Sequence, residues 1–525
     1  MITRIPILDV QPQIEGGRFP VKAAVGESFL IRARIFREGP DQLGAAVVLT
    51  GPDGVDRPPV TMHHLDNDFW AATLEADAVG TWRYRIESWS DPYATWLHDA
   101  PIKIEAGVDV ELMLEEGARL LERSGVSDRA LDSELALVRD QEAPELERLA
   151  AGMSFAPVIA ENPIRDFVDY SQSYPLQVDR ERALFGSWYE LFPRSEGAYR
   201  ESDGTVVSGT FVTAAKRLEA VADMGFDVVY LPPIHPIGKI NRKGPNNSLT
   251  CGPDDPGSPW AIGSAEGGHD AVNPALGTID DFDAFVVKAH ELGLEIALDF
   301  ALQCAPDHPW AMEHPEWFTT RADGTIAFAE NPPKKYQDIY PLNFDNDFDG
   351  LCAEVIRVLR FWMSHGVRIF RVDNPHTKPV SAWERILADI RETDPDVIFL
   401  SEAFTVPAML HALAMVGFHQ SYTYFTWRVH KGETGAYLEE VAADTSHFMR
   451  PNFFVNTPDI LPTYLNAGDL AMFKARAVLA ATGSPTWGMY AGFELCEHDP
   501  IKPGSEDYLN SEKYEIKIRN WNQPG

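Results

Sequence analysis

Basic residues are scarce in this sequence: 45 lysines and arginines stand against 79 aspartates and glutamates, a formal charge of −34 at pH 7. Such a surface repels polyanions, so nucleic acid and anionic membranes are not expected partners. A neutral substrate, or an anion held in a local cage of cations, remains compatible with it. Cysteine is scarcer still, at Cys251, Cys304, Cys352 and Cys496, with no CxxC pair. The expectation is four reduced thiols in a cytoplasmic protein, without disulfides and without a metal site. No segment approaches the run of about 18 apolar residues that spans a bilayer, and "MITRIPILDVQPQIEGG" lacks the uninterrupted apolar core of a signal peptide. No GxGxxG follows a strand-like run, which argues against a dinucleotide-binding doubly wound sheet. Internal repeats and low-complexity tracts are also missing.

What is present is a folded chain of several domains, 45% hydrophobic over 525 residues. Residues 1–104 carry short strand-like runs, "ESFLIRARIF", "AAVVLTG", "FWAATLEA", "GTWRYRIESWS" and "APIKIEA", separated by Gly, Pro and Asp turns. That spacing predicts an N-terminal β-sandwich. Residues 105–181 change character, because "VDVELMLEEGARLLERSG" and "DSELALVRDQEAPELERLAAGM" place apolar residues at helical spacing. This α-helical insert cannot bury its faces alone and is expected to meet a neighbour or a second subunit. Residues 182–525 alternate strand and helix. Strand-like runs lie at "FGSWYELFP", "FDVVYLPPIHP", "EIALDFAL", "VRIFRVDN", "VIFLSEAF", "YTYFTW", "FFVNTPD" and near "SPTWGMYAGFE". Eight such runs predict a catalytic (β/α)8 TIM barrel, with long loop insertions at about 238–275 and 304–347.

In such a barrel the C-terminal strand ends build the active site. Acids occupy several of them: Asp373 after "RIFRV", Glu402 after "IFLS", Asp459 after "FFVNTP" and Asp299 after "EIAL". Any one alone reads as a turn former or helix cap. Several converging carboxylates repel unless a cation holds them. Arg371 lies two residues before Asp373, on the same face of its strand, and can keep that acid ionised. An ionised carboxylate beside a carboxyl of higher proton affinity is equipment for glycosidic bond chemistry, one acid attacking the anomeric carbon while the other protonates the leaving oxygen. Sugar platforms are sought among Trp260, Trp310, Trp317, Tyr336 and Tyr340, each of which also reads as a loop anchor. Two cationic loop clusters, "NRKGPNN" and "NPPKKYQD", could cage an anion in an acidic protein. Arg368, three residues before Arg371, must face the other side of the strand, and its partner is not evident.

"GVRIFRVDN", "FLSEAF" and "FFVNTPD", in that order, resemble conserved regions of the α-amylase superfamily of retaining glycosidases and transglycosidases. The resemblance makes Asp373 the nucleophile, Glu402 the general acid/base and Asp459 the transition-state stabiliser, with Arg371 supporting the nucleophile. Two amylase histidines are replaced, because "DFALQCAPDHPW" has Gln303 and Cys304 where Asn-His is usual, and Pro458 precedes Asp459. "VYLPPIHPIGKINRKGPNNS", "GSAEGGHDAVNPALGT", "FAENPPKKYQDIYPLNF", "FRVDNPHTKP" and "SEKYEIK" resemble the α-1,4-glucan:maltose-1-phosphate maltosyltransferase family (GlgE type). That resemblance runs from the sandwich to residue 525. It implies transfer of a maltosyl unit from α-maltose 1-phosphate to the non-reducing end of an α-1,4-glucan, with release of phosphate and without a cofactor. It further implies donor binding by Lys243, Gln303, Asp338, Asn374, Lys513 and Tyr514, phosphate contacts at Asn331, Lys334 and Tyr336, and a homodimer. Family members continue beyond the position matching "IRNWNQPG" with a last barrel helix and a C-terminal β-sandwich, so this chain is expected to end before them. The alternatives weighed are a hydrolase or trehalose-synthase-like enzyme of the same superfamily, and a non-catalytic glucan-binding scaffold.

Overall fold

The computed structural model describes residues 3–127 and 129–522. They divide into two compact units, Met1–Val178 and Asp179–Gly525.

The first unit contains strands β1 (Ile7–Gln11), β2 (Val21–Ala24), β3 (Phe29–Ile35), β4 (Leu43–Thr50), β5 (Val60–Thr61), β6 (His63–His64), β7 (Phe69–Leu74), β8 (Gly80–Ser90), β9 (Asp166–Tyr170) and β10 (Tyr174–Asp179). One sheet runs β1-β3-β7-β6. The other runs β2-β10-β8-β4-β5, with β9 also on β8. On β3, Ile31, Ala33 and Ile35 are buried while Leu30, Arg32 and Arg34 are exposed, the period-two signature of a sheet with one covered face. Between β8 and its neighbours β9 and β10 come five helices: α1 (Pro92–Glu105), α2 (Val110–Arg123), α3 (Arg129–Arg139), α4 (Glu145–Met153) and α5 (Ala156–Glu161).

Here the structure corrects the sequence reading. "APIKIEA", expected as a strand, is the second half of α1. Asp91 caps that helix by accepting from the Ala94 N–H, and Pro92 sits at its first turn, so the helical register is set before the alternating stretch begins. The helices bury Trp96, which donates to the Met113 carbonyl at 2.7 Å. Gly117 and Gly152 make room for its ring: a Cβ on either would come within 2.3 and 2.7 Å of it. The chain then returns to the sheet, so the helices are an excursion from one strand of it to the next.

The second unit is built on a closed parallel barrel of β11 (Gly186–Glu190), β12 (Val228–Leu231), β13 (Glu295–Ala301), β14 (Ile369–Asp373), β15 (Ile398–Glu402), β16 (Gln420–Tyr422), β17 (Pro451–Phe454) and β18 (Thr486–Tyr490). β18 pairs with β11, Gly186 opposite Thr486, which closes the ring. Of the aromatic run "YTYFTW" only Tyr422, the last residue of β16, is strand. Thr423 accepts from the Phe425 N–H and turns the remainder into a 3-10 helix. The barrel interior is filled by Trp188, Val228, Tyr230, Ala297, Ile369, Ile398, Leu400, Tyr422 and Phe454. The two long loops lie between β12 and helix α6 (Ile279–Glu291), and between β13 and helix α7 (Phe348–Ser364). Both therefore rise from C-terminal strand ends. Among the described residues no helix is long and apolar enough to cross a membrane.

Candidate active site

Period two along the barrel strands decides which side chains enter the barrel. Ile369 belongs to the interior cluster, so Arg371 and Asp373 follow it inward; Leu400 brings Glu402, Ala297 brings Asp299, and Trp188 brings Glu190. The register sets them side by side, Asp373 opposite Glu402 on β15 and Arg371 opposite Asp299 on β13.

Arg371 is the hub. Its Nη1 donates to Asp299 Oδ2 at 2.8 Å and to Asp373 Oδ1 at 2.9 Å, and its Nη2 lies 3.1 Å from Glu402 Oε1. Its guanidinium carbon lies 5.6 Å from the ring centres of both Tyr230 and Tyr422. The group is 4% exposed, and a buried cation persists only with this density of partners. Asp299 also accepts from Tyr230 Oη at 2.5 Å and Trp260 Nε1 at 3.2 Å, so a tyrosine, an indole and a guanidinium converge on one oxygen.

These surroundings split the two registered acids. Burial raises the proton affinity of Asp373, but the charge of Arg371, followed by Lys378, outweighs it and holds the carboxyl below the usual aspartate range. At Glu402 burial wins: despite Arg371, and with Asp373 and Asp459 adding repulsion, its pKa is pushed up to about 8. Asp299 is pushed up to about 7, again chiefly by burial. Glu190 is raised well above the ordinary range by burial, with one carboxyl oxygen that has no hydrogen-bond partner. Near neutrality the site thus holds a carboxylate at Asp373 beside a carboxylic acid at Glu402.

A turn completes the pair. Asn374 has φ 41°, in the left-handed region that asparagine tolerates, and this points its N–H to Glu402 Oε2 at 3.2 Å. Its side-chain amide donates to Asp373 Oδ2 at 3.4 Å. Asp459 lies beyond the end of β17, in a turn closed by mutual Thr457 and Ile460 backbone bonds. Its carboxylate pairs with Lys513 Nζ, and that ammonium also lies 5.0 Å from the Trp260 ring centre.

A cavity of about 810 Å³ opens over these groups, within the range of small-molecule sites. Asp373, Glu402 and Asp459 line it, as do Gln303, Asp338, Asn374, Lys513, Tyr514, Asn331, Lys334 and Tyr336. Lys243 is not brought to its wall. It is buried, and its ammonium donates at 3.2 Å to Oε1 of Gln337, the residue before the cavity-lining Asp338. Of the candidate platforms, Trp260 and Tyr336 reach the cavity. Trp310 instead stacks on His269 and Trp317 on His314, as loop anchors do. Sequence reasoning passed over Tyr230, Tyr422, Glu190, His376 and Lys378; inward period two on β11, β12 and β16 could have found the first three. Arg368 finds its partners on the opposite side, Asp394 at 2.9 Å and Asp396 at 3.7 Å.

Among the described residues one cluster approaches a metal-ligand set: His269, Cys304 and His308, with ligand atoms within 4.8 Å of one another. Their hydrogen bonds leave no nitrogen free. His308 Nδ1 accepts from the Trp310 N–H, so its Nε2–H donates to His269 Nδ1, whose own Nε2–H donates to the Ala301 carbonyl. Both rings are neutral, with pKa values pulled down by burial, and burial raises the Cys304 thiol well above its usual value. These residues do not fit a cation; they form a proton-ordered brace under the loop.

Residues 3–180 match the family model described as alpha-1,4-glucan:maltose-1-phosphate maltosyltransferase, domain N/S. Alpha-1,4-glucan:maltose-1-phosphate maltosyltransferase 1 of Streptomyces coelicolor is 59% identical over 531 residues, covering 99% of this chain and 78% of its own length. The enzymes of the same name from Arcanobacterium haemolyticum and Mycobacterium tuberculosis are 54% and 49% identical over 99% of this chain, covering 77% and 78% of their own lengths. Among solved structures, an α-amylase from Geobacillus thermoleovorans in complex with acarbose overlays with a TM-score of 0.50 at 15% identity, over 64% of this chain and 74% of that one. That likeness speaks to the fold alone.

Proposed function

This chain belongs to the α-1,4-glucan:maltose-1-phosphate maltosyltransferase family, and from that premise we infer how its barrel carries out the transfer of maltosyl units from α-maltose 1-phosphate to α-1,4-glucans. Asp373 attacks the anomeric carbon. The bond to the phosphate oxygen breaks, and Glu402 delivers its proton to that oxygen as the electron pair leaves. The result is a β-maltosyl ester on Asp373. In the second half Glu402, now a carboxylate, takes the proton of the acceptor's 4-hydroxyl, and that oxygen displaces Asp373 with net retention. Asp459 steadies the oxocarbenium-like charge between the two steps.

The observation that carries this reading is the single guanidinium shared by two registered acids whose proton affinities are driven apart. A nucleophile must be ionised and an acid protonated at the same pH; both carboxyls are buried, and they part because Arg371 and Lys378 hold Asp373 as a carboxylate while Asp373 and Asp459 add repulsion at Glu402. The donor is held by Gln303, Asp338, Asn374, Lys513 and Tyr514, with Lys243 acting through its bond to Gln337. Asn331, Lys334 and Tyr336 meet the phosphate at the rim. Transfer rather than hydrolysis requires water to be kept from the maltosyl ester.

The protein acts as a homodimer in the cytoplasm. Exposed Ile102, Val108 and Leu112 at the start of the helical excursion supply apolar surface for the first statement, and four unpaired thiols suit the second. The test is release of phosphate from maltose 1-phosphate with and without maltooligosaccharide. Release that depends on acceptor supports the reading; free maltose or trehalose as the main product sinks it. A 2-fluoro donor should trap a covalent sugar on Asp373, and folded protein that stays unlabelled would favour a glucan-binding scaffold.

A further inference from the structure

Three lysines line the cavity, and they differ in what already satisfies them. Lys513 is ion-paired with Asp459. Lys334 is exposed at the tip of a hairpin, its ammonium 5.1 Å from the Tyr336 ring centre. Lys378 is 7% exposed and makes no ion pair among the described residues; its one hydrogen bond there is a long one to the Asn374 carbonyl, at 3.4 Å. An ammonium has three protons to donate. Buried cations are normally paired, because the cost of taking the charge out of water is otherwise unmet.

Nearby His376 shows the same surplus. It lines the same cavity, and its Nδ1 is buried without a hydrogen-bond partner. The ring is kept neutral by burial and by the charge of Lys378. Within five residues of the nucleophile, the chain therefore leaves unspent hydrogen-bonding capacity in the wall of the cavity that Asp373 and Glu402 also line. Burial pulls the Lys378 pKa down to about 8, while the carboxylate of Asp373 acts to restore it. The ammonium is held as a cation by an acid with which it makes no ion pair among the described residues.

We propose that Lys378, with His376 beside it, binds the phosphate that leaves the donor, so that the cavity's one buried, unpaired ammonium meets the negative charge as the C1–O bond breaks. The proposal rests on the maltosyltransferase reading. In the step itself a bond forms from Asp373 to C1, the C1–O electron pair passes to phosphate, and the Glu402 proton moves to that oxygen. Donor dianion and protonated Glu402 become hydrogen phosphate dianion and Glu402 carboxylate, and Lys378 keeps its proton throughout. Its contribution is electrostatic, and it is larger in this buried wall than the screened charge of Lys334 at the rim can supply.

The experiment compares two donors on Lys378→Met. Maltose 1-phosphate leaves as phosphate, whereas α-maltosyl fluoride leaves as a small halide with no oxygens to hold. The loss in kcat/KM on maltose 1-phosphate should exceed the loss on α-maltosyl fluoride by about 10²-fold, the scale of a buried charge pair broken from one side. Equal losses on both donors in a folded variant would show that Lys378 only positions Asp373, and would overturn the proposal. So would an unchanged rate on maltose 1-phosphate. Lys378→Gln gives the same comparison if the methionine variant does not fold. Wild-type protein is the control for the premise: failure of its own acceptor-dependent phosphate release would count against the maltosyltransferase reading, not against the role of Lys378.

Discussion

At position 402 a proton is retained near neutrality because its carboxyl is buried beside two other acids, and the chemistry proposed for it needs that proton in the first half-reaction. As pH rises through about 8, Glu402 loses its proton and kcat/KM for maltose 1-phosphate should fall. On the acid side Asp373, held below the usual carboxylate range by Arg371, should stay ionised to below its ordinary pKa. A pH–rate profile checks both limbs, and a rate still flat beyond about pH 9 would remove Glu402 from the acid's role. Glu402→Ala should lower kcat by about 10²–10⁴-fold while donor affinity by calorimetry stays near wild type. Unchanged turnover would refute the assignment. The same scale explains Asn374: a β-branched residue there would strain the left-handed turn that brings its N–H to Glu402.

Between elements, Arg371 joins three strands, β13, β14 and β15, through one side chain. Arg371→Met would leave three buried acids without their cation, and should destabilise the fold by about 3–5 kcal/mol in denaturant titrations. A smaller cost would show that protonation of the acids compensates. Arg194 links loops in the same manner, donating to the Gly257 carbonyl at 2.9 Å and to the Glu512 carbonyl at 2.6 Å. Glu512 precedes Lys513, so Arg194→Met should loosen the segment that carries Lys513 and Tyr514. We expect KM for the donor to rise roughly ten-fold, about 1.4 kcal/mol of lost positioning, with a smaller change in kcat. A loss confined to kcat would contradict this role.

Elements were also where the sequence was most and least legible. Apolar runs each closed by an acid marked β14 and β15, and Arg371 with Asp373 could be read as a pair because period two is a property of any strand. "APIKIEA" alternates like a strand, yet it is helical, since the helix is decided nine residues earlier at Asp91 and Pro92. "YTYFTW" has strand propensity throughout, yet Thr423 turns the chain after Tyr422. Lys378 was invisible as a site residue for a different reason. Burial without an ion pair among the described residues is a property of tertiary packing, and nothing in "DNPHTKP" announces it. Lys243 shows the converse, a residue brought forward by resemblance whose ammonium bonds Gln337 instead of lining the cavity wall.

For the molecule as a whole, a charge of −34 must repel a sugar phosphate dianion at distances beyond the cavity's own lysines. Raising ionic strength shortens the range of that repulsion to about 8 Å near 0.15 M. The value of kcat/KM for maltose 1-phosphate should therefore rise with added salt, while KM for a neutral maltooligosaccharide acceptor should not move. A fall with salt would mean that the lysines at the mouth govern approach. If the helices of the first unit meet a second copy, light scattering should give twice the mass of one chain, and Leu112→Glu should shift it toward a single one.

The tripod at Arg371 also constrains how this gene could decay. Losing Asp373 or Glu402 alone leaves a buried guanidinium with a partner missing, and losing Arg371 alone leaves acids without their cation. Either step harms folding as well as turnover. In a duplicate copy freed from making glucan, the arginine and its acids should therefore vanish as a block rather than one by one. A copy that still carries all four is more easily explained by continued use than by the slow erosion of neutral drift.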